Sequence, residues 1–376
     1  MRREASAIAA RFSLEYWREH DVNASYPWEF VRAFAEAGWL GVLIPEAYGG
    51  AGLGLTEAGL VLQAIARSGA GTSGAAAIHF YVFPLTPIVH HGSEFLKRTY
   101  LPRAARGELL VAFGVTEPTA GSDTSRISTV ASREDGRWVI RGQKVWTTNA
   151  QHAERILLLA RTSPRRDEAP LDGLTLFFTG LDRERCTIRK IDKLGRAAVD
   201  SNEVFLDGLC ATDDEIVGEL GRGFYHLLDG LNPERVVIAL EAVGIGQWAV
   251  AYASEYARNR RVFDRAIGQN QAIAHPLADV WAELQAAELL GYKAAWLFDQ
   301  GLSCGAEANA AKLLGARAGF RACNVALQTF GGFGYARETH IERLWREVRL
   351  YEIAPITQEM VLNYLAEHVL DLPKSY

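Results

Sequence analysis

The spacing of apolar residues changes twice along the chain, and these changes restrict the fold more than any other feature. In the middle third, short apolar runs such as Ile156 to Ala160 and Leu174 to Phe178 stand between polar turns, which is typical of β-strands. On either side, apolar residues such as Leu60 and Ala64 recur at helical spacing. The pattern predicts an α+β multi-domain protein with an N-terminal α-helical domain (residues 1–112), a middle antiparallel β-domain (113–217) and a C-terminal four-helix bundle (218–376).

The sequence also predicts where individual elements begin and end. Asn232 has the properties of an N-cap and Pro233 suits a first turn, so a helix is expected to begin there. Residues 75–90 are expected to form one helix. Residues 137–148 are expected to form two strands joined by a turn at Gly142.

Composition argues against several classes of function. The chain has 376 residues, is 49% hydrophobic and carries a net charge of −5, so nothing favours a nucleic acid as partner. The apolar run Val236 to Gly246 is interrupted by Glu241, and we expect no membrane-spanning segment and no membrane partner. The four cysteines are scattered without metal-ligand spacing, which predicts no metal site and fits a reducing, cytoplasmic location.

Two short motifs carry most of the chemical information. The first is the loop Gly114 to Asp123, which combines hydroxyl groups and a carboxylate with the turn residues Pro118 and Gly121. Such a loop can direct several N–H groups and short side chains at one polar ligand. The second is Gln328 to Tyr335, whose glycines permit a phosphate-bearing ligand to approach the backbone. Either motif alone is also compatible with an ordinary turn.

In this order and over essentially the whole chain, the motifs resemble those of the acyl-CoA dehydrogenase family. The resemblance implies FAD, because removing hydrogen from the α and β carbons of a thioester needs a hydride acceptor, and no side chain supplies one. It also implies two groups of FAD-binding residues. The ring group, which contacts the flavin ring, consists of Phe113, Val115, Thr116, Trp146, Thr148, Thr357 and Glu359. The nucleotide group consists of Arg260, Phe263 and Gln271, which reach the FAD pyrophosphate of a neighbouring subunit, and of the motif residues Gln328, Gly331 and Gly332, where the backbone admits adenosine phosphates. Without the resemblance, Trp146 is equally expected to be a core aromatic residue, and the basic run 258–261 a solvated charge cluster.

The catalytic base is where this sequence departs from most of the family. Most members place a Glu just before a Gly-Thr pair near the C-terminus, and aligning Thr357 with that Thr puts Pro355 at the Glu position. A minority branch, which includes isovaleryl-CoA dehydrogenase, carries its Glu on the helix that opens the C-terminal domain, where this chain has Glu234. Resemblance to that branch predicts Glu234 as the base, with Glu352 as the fallback. Burial would raise the pKa of Glu234, whereas a helix N-terminus and Arg235 would oppose that shift. The simpler interpretation of Glu234 is a carboxylate that complements a helix dipole.

The resemblance also implies substrate contacts from Ser122 near the pantetheine, from Asn232 near the CoA adenine and from Arg235. Pro355 lacks the backbone N–H that helps to hold the thioester carbonyl in the family. We expect Ile356, a flavin ribityl hydroxyl or a different substrate position to compensate. Bulky residues on the helix that lines the acyl pocket in the family would shorten that pocket, or would pack in the core: His79, Phe80, Tyr81 and Phe83.

The leading hypothesis is therefore a homotetrameric FAD enzyme that converts a short or branched acyl-CoA to the trans-2-enoyl thioester and passes electrons to an electron-transfer flavoprotein. One alternative is a dehydrogenase of acyl or aminoacyl groups bound to a carrier protein. Another is a flavin-binding member of the fold that does not dehydrogenate, for which the missing base at Pro355 is the argument. An oxidase or monooxygenase on the same scaffold is a further alternative.

Overall fold

The computed structural model describes residues 1–375, apart from the side chain of Asp229. The chain forms an N-terminal helical domain, a β-sheet domain and a C-terminal helical domain, as predicted. The N-terminal helices are α1 (Arg2–Ala9), α2 (Leu14–Asn23), α3 (Trp28–Glu36), α4 (Leu55–Ile65), α5 (Gly71–Val82), α6 (Thr86–His91) and α7 (Glu94–Ala105).

The predicted single helix over residues 75–90 is wrong, because the chain breaks between α5 and α6. Pro84 lies at the break. Proline has no N–H to continue the helical hydrogen-bond ladder, and its ring collides with the preceding turn. The C-terminal end of α5, which carries His79 and is followed by Phe83, faces the sheet domain.

The middle domain is a sheet that, in the described part of the chain, has seven strands. Its order is β1-β4-β2-β3-β7-β6, and β5 pairs with β4. Most neighbours are antiparallel, but β4 runs parallel to both β1 and β2. The strands are β1 (Val111–Gly114), β2 (Val130–Glu134), β3 (Arg137–Thr148), β4 (Arg155–Arg161), β5 (Leu174–Gly180), β6 (Cys186–Lys190) and β7 (Ser201–Ala211).

Strand β3 corrects a second expectation, since residues 137–148 form one continuous strand without a turn. Gly142 lies inside the strand with φ +151, and a Cβ atom there would lie 2.5 Å from Oγ1 of Thr129. The glycine therefore permits a close approach to a neighbouring segment, which is the other common reason for glycine in a strand.

The C-terminal domain is built on three long helices, α8, α9 and α10, with two shorter helices beside them. A short hairpin, β8 to β9, separates α8 from α9. The elements are α8 (Gly223–Asn259), β8 (Arg261–Val262), β9 (Arg265–Ala266), α9 (Gln271–Asp299), α10 (Gly305–Phe330), α11 (Ile341–Val348) and α12 (Gln358–His368).

Helix α8 begins at Gly223, so the predicted helix start at Asn232 is wrong. Pro233 lies inside the helix. The turns before it are held by packing, because Phe224 and Leu227 join the apolar cluster beneath the sheet, with Leu176 among its members. Tertiary packing has outweighed the local cost of the proline. Glu234 therefore lies well inside α8 and does not complement its N-terminus.

Helices α8 and α10 approach each other closely because glycines line their contact. A Cβ atom on Gly315 would lie 2.8 Å from the carbonyl oxygen of Ala239, and one on Gly319 would lie 2.5 Å from that of Ala242. Real side chains do not reach such distances, so any larger residue at Gly315 or Gly319 would push the two helices apart.

Two helical stretches of the described chain are long and apolar enough to cross a bilayer, contrary to the expectation from the sequence. They are Leu55–His91, of which the most apolar window is 89% buried inside the protein, and Gly223–Asn259, at 83%. A bilayer-spanning helix would expose this surface to lipid. Because the rest of the chain covers it, we interpret both stretches as core helices.

Candidate active site

The ring-group residues of the sheet come together where β1 meets the end of β3. Phe113 pairs with Thr148, and the backbone N–H of Val145 donates to the carbonyl oxygen of Thr116 at 2.9 Å. The pairing of β3 with β7 is irregular between Lys144 and Thr147. Within that irregularity, Trp146 adopts φ +60 and leaves 57% of its surface exposed. The expectation that Trp146 packs in the core is wrong; its indole forms an open surface beside Thr148.

A buried ion pair, which the sequence did not reveal, holds the loop after β1. The Lys144 ammonium donates to Glu117 at 2.9 Å and to the carbonyl oxygen of Val115 at 3.1 Å. Glu117 also accepts from the backbone N–H groups of Ser128 and Thr129. Burial alone would raise the pKa of Glu117, but the Lys144 charge and these hydrogen bonds outweigh it and lower that pKa to about 2. The buried ion pair and its hydrogen bonds thus hold the loop after β1 in place.

Aromatic contacts connect this part of the sheet to helix α8. The rings of Phe83 and Phe113 lie 5.2 Å apart between centroids. On the other side of Phe83, a Cβ atom placed on Gly230 would lie 3.7 Å from the ring. Glu234 follows Gly230 by one helical turn on the same face of α8. The predicted base therefore lies on the wall that faces the ring group.

The surroundings of Glu234 suit a proton acceptor. Its carboxylate is partly buried and makes no hydrogen bond to any residue in the described part of the chain. Burial raises the pKa of Glu234 to about 7, against the nearby charges of His79 and Arg235, which lower it. By contrast, the fallback Glu352 is held in an ion pair with Arg349. Of the two carboxylates, Glu234 is the one without an ion-pair partner among the described residues.

Three polar residues lie buried beside Glu234, and we call them the buried triad: His79, Glu241 and Tyr351. His79 Nδ1 lies 2.9 Å from one Glu241 oxygen, and the Tyr351 hydroxyl donates to the other. Burial would lower the pKa of His79, but the Glu241 charge and hydrogen bond outweigh it and raise that pKa. The sequence carried one signal of this group, namely a Glu inside the apolar run Val236 to Gly246. Glu241 serves there as a buried counter-charge.

The loop that contains Pro355 is held against the bundle. Lys312 of α10 donates to the carbonyl oxygen of Ile356. Burial lowers the pKa of Lys312 to about 8, with a further contribution from the Arg235 charge. Thr357 caps α12 by accepting from the Met360 backbone N–H at 3.3 Å. Of the ring-group residues near the C-terminus, Thr357 is therefore occupied as a cap and Glu359 is exposed.

The predicted substrate residues divide between the site and the surface. Asn232 and Arg235 lie on α8 beside Glu234, and Arg235 donates to the Asn232 side chain at 2.7 Å. The Nε of Arg235 is buried without a partner in the part of the chain that the structure describes. Ser122 is exposed on the loop after β1.

Members of the nucleotide group line a cavity at the far end of α8. It has a volume of about 560 Å³, and Arg260, Gly331 and Gly332 are among its lining residues. A Cβ atom on Gly331 or Gly332 would meet nothing within 4 Å, so a ligand can reach this backbone. Phe263 is 93% exposed close by. Gln271 and Gln328 are exposed and do not line the cavity.

Within one chain, the region of Glu234 and Lys312 lies far from the nucleotide group. Arg260 follows Glu234 by 26 residues (260 − 234) along α8, which corresponds to ~39 Å at about 1.5 Å per residue. Lys312, near the ring group, and Gln328 are likewise separated by 16 residues (328 − 312) of α10, or ~24 Å. In one chain, the residues of the ring group and those of the nucleotide group thus lie towards opposite ends of the bundle.

The fold and these motifs define an acyl-CoA dehydrogenase. The chain matches the family models for the acyl-CoA dehydrogenase N-terminal domain at residues 1–108, the middle domain at 112–209 and the C-terminal domain at 221–370. It therefore belongs to the acyl-CoA dehydrogenase family of oxidoreductases.

Individual relatives match over nearly their whole length. The acyl-CoA dehydrogenase fadE12 of Mycobacterium bovis is 36% identical over 383 residues, covering 100% of this chain and 96% of the relative. The structure of a glutaryl-coenzyme A dehydrogenase with glutaryl-CoA matches with a TM-score of 0.94 at 29% identity, covering 100% of this chain and 95% of that one. The FAD complex of PigA matches with a TM-score of 0.92 at 23% identity, covering 98% and 96%, and so shares the fold. Members of the family bind FAD.

Proposed function

We propose that this chain is an FAD-dependent dehydrogenase that converts a short or branched acyl-CoA to the trans-2-enoyl thioester, with Glu234 as the base. The observation that carries the proposal is the state of Glu234: among the described residues its carboxylate has no hydrogen-bond partner, it lies on the wall that faces the ring group, and burial raises its pKa to about 7. A general base is most effective when its pKa lies near the working pH. Pro355, at the position of the usual base, cannot take this role.

Each step assigned to the chain uses a residue described above. Glu234 takes the α-proton of the acyl thioester as its carboxylate. When bound, FAD supplies the acceptor for the β-hydride. Phe83 and Phe113 exclude water from the reacting carbons, and Phe80 and the buried triad limit the room for the acyl chain.

The thioester carbonyl must be held where negative charge develops as the α-proton leaves. Pro355 offers no N–H for this purpose. We propose that the backbone N–H of Ile356 replaces it, because the bond from Lys312 to the Ile356 carbonyl fixes the orientation of that peptide segment. Asn232 and Arg235 would then contact the CoA portion, and Ser122 the pantetheine side, as the family resemblance implies.

The cofactor would be bound between two copies of the chain. The residues present fit FAD in both groups, since Trp146 offers an open aromatic surface and Gly331 and Gly332 an accessible backbone. Because Glu234 beside the ring group and Arg260 of the nucleotide group lie ~39 Å apart along α8, we expect a second copy to complete each site. A homotetramer in the cytoplasm, delivering electrons to an electron-transfer flavoprotein, agrees with this arrangement.

The test is anaerobic flavin bleaching of the purified holoprotein with a panel of acyl-CoA thioesters. We expect short or branched thioesters to bleach the flavin of the wild type and not that of Glu234→Gln. Bleaching that persists in the variant would show that Glu234 is not the base and would favour Glu352 instead. No bleaching with any CoA ester, but bleaching with carrier-protein thioesters, would replace the CoA substrate by a carrier-bound one.

A further inference from the structure

The buried triad has one hydrogen-bond donor more than it uses. His79 Nδ1 and the Tyr351 hydroxyl occupy the two oxygens of Glu241. His79 Nε2, on the other edge of the ring, bonds to no residue in the described part of the chain. The side chain is 5% exposed, so little bulk water reaches it. In the protonated ring, both nitrogens are donors.

The His79 ring lies close enough to Glu234 for the two side chains to affect each other electrostatically. Among charged neighbours, His79 has the largest effect on Glu234, and the Glu234 charge acts in turn on His79. The rings of Phe80 and Phe83 lie 5.5 and 5.6 Å from the His79 ring. Phe83 in turn contacts Phe113 of the ring group. Two aromatic rings in contact, Phe83 and Phe113, therefore connect His79 to the position where the flavin is proposed to lie.

A second cation faces the same region from the sheet domain. The Arg196 guanidinium lies 5.9 Å from the centroid of the Phe80 ring and donates to the Thr148 hydroxyl at 3.3 Å. Its Nε is buried without a partner among the described residues. Arg196 also acts electrostatically on His79 and Tyr351. The wall between α5 and the sheet thus offers donors and positive charge, whereas a pocket for a purely hydrocarbon chain needs neither.

We propose that His79 is a specificity-determining residue whose Nε2 donates a hydrogen bond to an oxygen atom of the acyl chain, so that the preferred substrates are oxygen-bearing acyl thioesters. This inference rests on the proposed function, since it concerns the acyl group that Glu234 would deprotonate. An acyl chain made only of methylene groups would enclose the Nε2 donor without giving it an acceptor, and a buried donor without a partner is costly. An oxygen atom at that point removes the cost.

The experiment measures binding, so that it does not depend on turnover. Dissociation constants are measured by calorimetry on Glu234→Gln holoprotein with matched pairs of thioesters, such as pentanoyl-CoA and 4-oxopentanoyl-CoA, and hexanoyl-CoA and 5-oxohexanoyl-CoA. We expect at least one oxo compound to bind roughly tenfold or more tightly than its hydrocarbon partner. Adding His79→Phe keeps a ring but removes both donors, and we expect this preference to disappear.

Two further variants separate the hydrogen bond from packing. Phe80→Leu changes the pocket beside His79 without changing a donor, so it should alter both affinities of a pair alike and preserve their ratio. His79→Gln keeps a donor near Nε2 and should retain part of the preference. If His79→Phe fails to fold, Glu241→Gln provides the test, because it leaves the ring in place and removes the charge that raises the pKa of His79; the preference should then fall at pH 8.

The outcomes distinguish this inference from the proposed function. Equal affinity for oxo and hydrocarbon partners in every pair, or a preference that survives His79→Phe, would overturn the role of His79 and leave the dehydrogenase intact. Absence of binding by every CoA thioester would overturn the proposed function and, with it, this inference.

Discussion

The pKa of Glu234 gives the most direct prediction about catalysis. Only the carboxylate form can take a proton, and its pKa is raised from 4.5 to about 7. A base with a pKa of about 7 is half ionised at pH 7 and about 9% ionised at pH 6, so kcat/KM should fall roughly fivefold over that interval. An unperturbed carboxyl group would stay almost fully ionised, and the rate would change by only about 3%.

The assay is the rate of anaerobic flavin reduction at low substrate concentration, followed between pH 5.5 and pH 8. Glu234→Gln should lower this rate by roughly 10² to 10⁴-fold at every pH, which is the usual contribution of a general base. Glu352→Gln is the matched control, since that carboxylate is already paired with Arg349. A flat wild-type profile, or a loss in Glu352→Gln that exceeds the loss in Glu234→Gln, would refute the reasoning.

Three further predictions concern stability and assembly. First, the folded protein holds the Glu234 proton more tightly than the unfolded chain does, so stability is lost as pH rises from 4.5 through about 7. In chemical denaturation, Glu234→Gln should therefore stabilise the holoprotein by up to about 3 kcal/mol at pH 8 and not at pH 4.5. Equal gains at both pH values would contradict this. Second, Lys144→Met removes the ion-pair partner of the buried Glu117, and it should lower the free energy of unfolding by about 3–5 kcal/mol and weaken flavin retention. The control Arg106→Ala breaks an exposed pair and should leave the denaturation midpoint unchanged. Similar midpoints for both variants would show that the buried pair is dispensable. Third, Glu234→Gln chains and Arg260→Glu chains should each be inactive alone but regain up to half of wild-type activity when they assemble together. In such a pair, one of the two sites combines an intact Glu234 from one chain with an intact Arg260 from the other. Inactive hybrids would mean that each site takes both residues from one chain.

The order of the three domains could be predicted because each kind of element leaves its own period in the sequence. For the same reason, the helical spacing predicts helices over residues 270–301 and 306–329, which agree within two residues with the bounds of α9 and α10. The start of α8 was not, since Asn232 and Pro233 form a strong local signal for a helix start. What overrides that signal is the packing of Leu227 beneath the sheet, and local sequence carries no information about it.

The site was predictable only where one motif carried it. Glu234 could be proposed from the sequence because Pro355 removed its competitor. The partners in the buried triad could not, because His79 and Glu241 are 162 positions apart and Tyr351 lies a further 110 positions on. The bond between Glu117 and Lys144 spans 27 positions and depends on how β3 is placed beside the loop after β1. Contacts of this kind follow from tertiary structure rather than from any local pattern.

The glycine-lined contact between α8 and α10 has a consequence for how this enzyme can adapt. Because Gly315 and Gly319 press the two helices together, Glu234 on one and Lys312 on the other behave as parts of one rigid body. The distance from the proposed base to the Ile356 segment is thus fixed and tolerates little drift during evolution. The opposite wall, formed by the end of α5 and interrupted at Pro84, carries no such constraint. New acyl groups are therefore expected to be accommodated by substitutions on that wall, while the bundle side keeps the chemistry constant.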